Sequence, residues 1–175
     1  KGAFPASAHQ LDYAGIQQPI YYTGGVAFVQ YALIRYMEKY GDQQGVRQMI
    51  RNTFRWLETM KTTTGDAAGL FRGGVRIDNG VKKDIAWHAT EHNTDMWHVY
   101  ERAARVLGDK QYVQKADELA KVTVAKLWNT TEGRFNQGYN DSSKALDTTS
   151  WGSIFLNAIG EYDKAKQALD HTATY

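Results

Sequence analysis

The sequence predicts an all-α fold of stacked αα-hairpins with short β-hairpin insertions. Three observations carry this. Apolar residues recur at helical spacing over long segments. A glycine closes a helix at Gly41, Gly108 and Gly160, and each time a second amphipathic helix follows. Extended, aromatic-bearing connections stand where a plain helical solenoid would use short turns.

Residues 1–23 show little periodicity and read as a loop ending in Pro19-Ile20-Tyr21-Tyr22-Thr23. From Gly25 to Tyr40, Val26, Phe28, Val29, Ala32, Leu33, Ile34, Tyr36 and Met37 cover most of a helix circumference, which predicts an inner, buried helix. Gly41-Asp42 stops it. Residues 43–61 form an outer amphipathic helix through Val46, Met49, Ile50, Phe54, Leu57 and Met60. A helix from Thr90 to Leu107 then ends at Gly108-Asp109, and Gln111 to Trp128 supplies its outer partner. Trp151, Ile154, Phe155, Ala158 and Ile159 mark a third inner helix, closed by Gly160. Tyr162, Ala165, Leu169 and Thr172 share one face of the last.

Between these helices lie segments of β character. Val75-Arg76-Ile77 and Val81-Lys82-Lys83 flank Asp78-Asn79-Gly80, and Asn-Gly is the preferred filling of a type I′ hairpin turn. Residues 134–139 form a second extended piece before the third inner helix. Residues 1–175 are expected to form a single αα-hairpin domain.

Composition excludes several functions. Lys+Arg 21 against Asp+Glu 19 leaves a net charge of +2 with no basic block, so nucleic acid is a poor partner. The most apolar window, Val26 to Met37, is interrupted by Gln30 and Arg35 and is too short to span a bilayer. Cysteine is absent, which removes disulfides, thiolate zinc sites and thiol catalysis. Tyr (11) and Trp (5) are abundant, and both offer a flat apolar face with a polar tip, which suits a wet binding surface. The start at Lys1-Gly2-Ala3-Phe4 reads as a mature form or an excised piece.

The chemistry concentrates between Trp87 and Trp97, where a loop turns into a helix. A helix start presents unsatisfied N–H groups and the positive end of its dipole. Parallel inner helices would gather three such starts at one face. That face would bring together Tyr21 and Tyr22, then Trp87, His88, Glu91 and His92, then Asp147 and Trp151, with Arg72, Arg76 and Asp78 overhanging from the hairpin. Polar groups beside indole faces suit a sugar. Glycoside hydrolysis needs two carboxyl groups flanking the scissile bond. Glu91 is the preferred proton donor and Asp147 its preferred partner, with Asp78 and Asp95 behind it.

Each of these has a structural alternative. Thr90 can cap the helix with Asn93 as capping-box partner, and Asp147 is a natural N-cap. Asp95 can answer an arginine, and Asp78 suits a turn. His88 and His92 stand at i and i+4, but a third ligand is lacking, so no metal is expected. No phosphate loop or nucleophile elbow is present, and no cofactor is expected.

The run Ala89-Thr90-Glu91-His92-Asn93-Thr94-Asp95-Met96-Trp97 is similar to a Thr-Glu-His-Asn-x-Asp run of exported toroid proteins associated with polysaccharides. With the Gly41-Asp42 and Gly108-Asp109 closures and the aromatic entries Tyr21-Tyr22 and Trp87-His88, residues 20–170 resemble a piece of a bacterial (α/α)6-toroid protein of the six-hairpin glycosidase type. The resemblance implies an α/α fold, an oligosaccharide or polysaccharide ligand, a cleft at the inner-helix N-termini, and an extracellular or cell-surface location. Such toroids close with six hairpins and three are counted here. The chain is therefore expected to be part of a larger toroid, or a shorter open arrangement prone to self-association. The leading expectation is a glycoside hydrolase or a fragment of one. The alternatives are a non-catalytic glycan-binding module stacking sugars on Trp87, Trp97 and Trp151, or an α-solenoid interaction scaffold.

Overall fold

The computed structural model describes residues 19–43 and 45–175. In chain order the elements are β1 (Ile20–Tyr22), α1 (Thr23–Tyr40), α2 (Val46–Glu58), β2 (Gly74–Asp78), β3 (Val81–Ile85), α3 (Thr90–Leu107), α4 (Gln111–Leu127), β4 (Trp128–Asn129), β5 (Arg134–Phe135), α5 (Leu146–Ala158) and α6 (Tyr162–Thr172). The helices pair as α1–α2, α3–α4 and α5–α6. The first members also pack side by side, α3 lying between α1 and α5. This is the stacked αα-hairpin architecture of a partial α/α toroid.

The inner row is parallel. At one end Gly24 of α1 packs on His92 of α3, where a Cβ at Gly24 would come within 2.5 Å of the imidazole. Towards the other end Glu38 of α1 pairs with Arg102 of α3 at 3.4 Å. Trp97 of α3 meets Phe155 of α5 edge to face, 5.3 Å between ring centres. Like ends therefore meet like ends, and the N-termini of α1, α3 and α5 gather on one side.

The core fills the space between the two helix layers. Ile34, Ile50, Leu57, Tyr100, Leu119 and Phe155 are buried there. Phe54 stacks on Tyr100 and Tyr112 at 5.8 and 4.6 Å. The hydroxyl of Tyr100 donates to Glu58 at 2.7 Å, so the polar atom of the most deeply buried tyrosine of that stack is satisfied.

Two expectations are corrected. Residues 1–18 of the supposed leading loop lie outside the described residues, but Ile20–Tyr22 is a strand, paired antiparallel with β2 through Ile20–Arg76, Tyr21–Val75 and Tyr22–Gly74. The helix expected to be buried all round, α1, leaves Phe28, Tyr36 and Tyr40 exposed. It stands first in the inner row, so α2 and α3 cover two of its sides and nothing described covers the third. The β2–β3 hairpin forms as expected, with Asn79 and Gly80 at φ 48° and 77°, the left-handed pair of a type I′ turn.

Candidate active site

Two loops clamp the entry to α3. On one side Gly73 donates its N–H to the carbonyl of Trp87 at 2.6 Å. The indole lies against Gly73 so closely that a Cβ there would come within 2.8 Å of the ring. On the other side, Tyr139 N–H donates to His88 C=O and Thr90 N–H to Gln137 C=O, both at 2.9 Å. Thr90 also donates its hydroxyl to Asn136 C=O at 2.6 Å. Asn93 is buried; its side chain accepts from Phe71 N–H at 2.8 Å and donates to Ala89 C=O at 2.8 Å. The capping-box reading of Thr90 and Asn93 is thus overturned. The N-cap is Ala89, and both side chains reach distant backbone instead.

Between these loops and the start of α5 lies a cleft of about 340 Å³, lined by Trp87, His88, Glu91, His92, Tyr139 and Asp147 together with Gln137, Asp141 and Thr148. Glu91 and Asp147 are the second residues of α3 and α5, so parallel packing brings both to the same mouth. Glu91 is half-buried, and its carboxyl makes no hydrogen bond among the described residues. Burial, and then the negative charge of Asp147, push its pKa above the usual carboxylate range. Asp147 is exposed, and it accepts the N–H of Thr148 at 2.7 Å. It is not the helix cap, since that position belongs to Ala145. A desolvated carboxyl beside a solvated one is the arrangement that separates an acid from a base.

Both histidines of the cleft have their pKa lowered. Burial lowers His92 to about 4. Its ring packs against Trp87 at 4.9 Å and Tyr22 at 6.4 Å. His88 is lowered by burial and then by the charge of Arg72, and its Nε2 shares a 2.7 Å hydrogen bond with the Thr62 hydroxyl. Asp95 is raised to about 8, by burial first and then by Glu91. Among the described residues no arginine answers it, and its Oδ2 has no partner. Among the described residues no group of three His, Asp or Glu side chains is placed to hold a metal ion.

The other anticipated residues are spread more widely. Tyr22 backs Trp87, with ring centres 6.1 Å apart, while Tyr21 packs on the core. Arg72 pairs with Asp84 at 3.2 Å. Arg76 and Asp78 do not overhang the cleft. The β2–β3 register sets Arg76 opposite Lys83, and Asp78 neutralises both at 3.0 and 3.1 Å. Trp151 and Asp95 line a separate, open furrow with Phe28, Tyr31 and Ile154. Gln137, Tyr139 and Asp141 were not anticipated. The signal for Gln137 and Tyr139 was the extended piece at residues 134–139, whose Gly138 bridges to Ala89.

No family model matches the chain, and no curated protein matches it by sequence. Solved structures do match in fold. A reducing end xylose-releasing exo-oligoxylanase aligns with TM-score 0.65 at 18% identity, over 89% of this chain and 43% of that one. A crystal form of such an exo-oligoxylanase complexed with xylose gives 0.61 at 16%, over 89% and 44%. A D-mannose isomerase gives 0.60 at 16%, over 90% and 43%. At these identities the likeness establishes the α/α fold, and the chain spans less than half the length of these neighbours. No helix among the described residues is long and apolar enough to cross a membrane.

Proposed function

We propose that this chain is the catalytic part of a carbohydrate-active protein, a glycoside hydrolase or a fragment of one, acting on an oligosaccharide or polysaccharide. The observation that carries this is the placing of Glu91 and Asp147 on adjacent helix tips in one aromatic-walled cleft, with Glu91 biased towards its protonated form. In this reading the Glu91 carboxyl gives its proton to the glycosidic oxygen as the bond to the anomeric carbon breaks. Asp147 takes the proton of the water that adds to that carbon. Trp87, 48% exposed at the cleft wall, supplies a flat face for the sugar ring. The sugar-related neighbours, an exo-oligoxylanase and a mannose isomerase, agree with this ligand class. Clustering of carboxyl groups at one end of the helices is not what an interaction scaffold requires.

The test is turnover of xylo- and manno-oligosaccharides. Glu91→Gln should lower kcat at least about 100-fold, the lower range of a general-acid contribution, with sugar affinity retained. Near-normal turnover would remove Glu91 from the role. The exposed Trp87 face also favours a second reading, a glycan-binding module. Binding without turnover in the unaltered chain, abolished in Trp87→Ala, would select it.

A further inference from the structure

His88 enters the cleft from the loop before α3, and its surroundings fix the ring. Its Nε2 shares the 2.7 Å hydrogen bond with the hydroxyl of Thr62, 26 residues earlier. The Tyr139 ring stands edge-on to the imidazole, 6.3 Å between ring centres. The His88 carbonyl accepts the Tyr139 N–H at 2.9 Å, which holds the backbone that carries the ring. Thr62 is held as firmly. It lies in the connection between α2 and β2, where its N–H donates to Leu70 C=O and its C=O accepts from Gly69 N–H, both at 2.8 Å. A β-branched side chain on so fixed a backbone has few rotamers open to it. Its hydroxyl is therefore aimed.

A neutral imidazole carries one N–H and one bare nitrogen, and the hydrogen bond at one nitrogen decides which is which. The Thr62 hydroxyl has a single hydrogen, and among the described residues its partner is Nε2 of His88. Were the hydroxyl to accept from Nε2–H, its own hydrogen would have no acceptor among those residues. Donation to Nε2 uses that hydrogen and puts the ring proton on Nδ1. Burial, then the Arg72 charge, lower the His88 pKa and favour the neutral ring that this arrangement needs. Nδ1 itself bonds no protein group among the described residues, and His88 lines the cleft.

We propose that Thr62 is a positioning residue of the cleft, which fixes His88 as the Nδ1–H tautomer so that Nδ1–H donates a hydrogen bond to a sugar oxygen bound there. The ligand half of this inference rests on the carbohydrate reading above; the tautomer half does not. A donor suits the site. The ring oxygen of a sugar only accepts, and so do ionised carboxylates, so His88 beside Asp141 and Asp147 answers an oxygen that they cannot.

Long-range proton–nitrogen NMR of histidine-labelled protein tests this, because it tells a protonated ring nitrogen from a bare one. His88, assigned with His88→Asn, should show a protonated Nδ1 and a bare Nε2 at neutral pH. Thr62→Val, nearly the same shape without the hydroxyl, should reduce that form to a minor share, and Thr62→Ser should keep it. Circular dichroism checks that the variants fold. On xylo- and manno-oligosaccharides, Thr62→Val should raise KM about 3- to 10-fold, the worth of one net hydrogen bond, with kcat changed less than about 2-fold and Thr62→Ser close to the unaltered chain. A bare Nδ1 in the unaltered chain, or the same tautomer in Thr62→Val, would overturn the positioning role. The expected tautomers with an unchanged KM would overturn the bond to the ligand and leave the cleft reading standing. If no sugar binds or turns over, the carbohydrate reading fails and takes the ligand bond with it, while the tautomers still decide the Thr62–His88 pair.

Discussion

Glu91 and Asp147 occupy equivalent places, the second residue of two parallel neighbouring helices, and the charge of one raises the pKa of the other. That coupling makes a direct prediction. Removing the Asp147 charge relieves the electrostatic repulsion on ionised Glu91, so Asp147→Asn should lower the Glu91 pKa while leaving it above an ordinary glutamate, because burial is the larger cause. Carboxyl-carbon NMR titration of labelled glutamate reads this. An unchanged Glu91 titration in the variant would show that the two groups do not interact.

Asp95 and His92 predict a pH dependence of stability. Asp95 has its folded pKa raised to about 8, so its favourable contribution is complete at low pH and is lost as pH climbs towards that value. His92 has its folded pKa lowered to about 4, so its contribution is complete above its unfolded value of 6.5 and is lost as pH falls towards 4. From about 4 to 6.5 the two oppose each other. From 6.5 to 8 Asp95 acts alone. Urea unfolding should therefore show stability falling across the upper window, and Asp95→Asn should flatten that fall. An equal fall in the variant would assign it to another group.

The close approach of Gly24 to His92 predicts intolerance at position 24. Gly24→Ala places a methyl 2.5 Å from Cδ2 and 2.9 Å from Nε2 of a buried ring. Overpacking of this kind costs about 1–3 kcal/mol. Thermal unfolding would read it, and no loss of stability would mean that His92 moves freely.

Asn93 predicts a second structural cost. Asn93→Ala leaves the buried N–H of Phe71 without its acceptor, while the Ala89 carbonyl keeps the backbone N–H of residue 93. The loss should be about 1–3 kcal/mol, the desolvation penalty of one stranded buried donor. Denaturant unfolding checks it, and a change under about 0.5 kcal/mol, typical of a neutral surface substitution, would contradict the clamp.

What was legible in the sequence was local. The bounds of α3 follow from helical periodicity and the glycine stop at Gly108, whose φ of 68° suits glycine. The Asn79-Gly80 turn has the same character. What escaped depends on partners far along the chain. Ile20–Tyr22 becomes a strand because β2, more than fifty residues on, pairs with it. Thr90 forgoes capping because the Asn136 carbonyl arrives from a separate loop. Trp151 was placed with the cleft, but α5 begins at Leu146, five residues earlier, and this sets Trp151 a turn below the tip. Glu91 and Asp147 reach one cleft because both lie in the first turn of their helices.

The most direct measurement of the central claim compares Glu91→Gln on two substrates. A natural oligosaccharide needs a proton on its departing oxygen, whereas a dinitrophenyl glycoside of the same sugar has a leaving group that departs without one. If Glu91 is the acid, bond cleavage should fall at least about 100-fold on the first and far less on the second. Equal loss on both, or none on either, would contradict it.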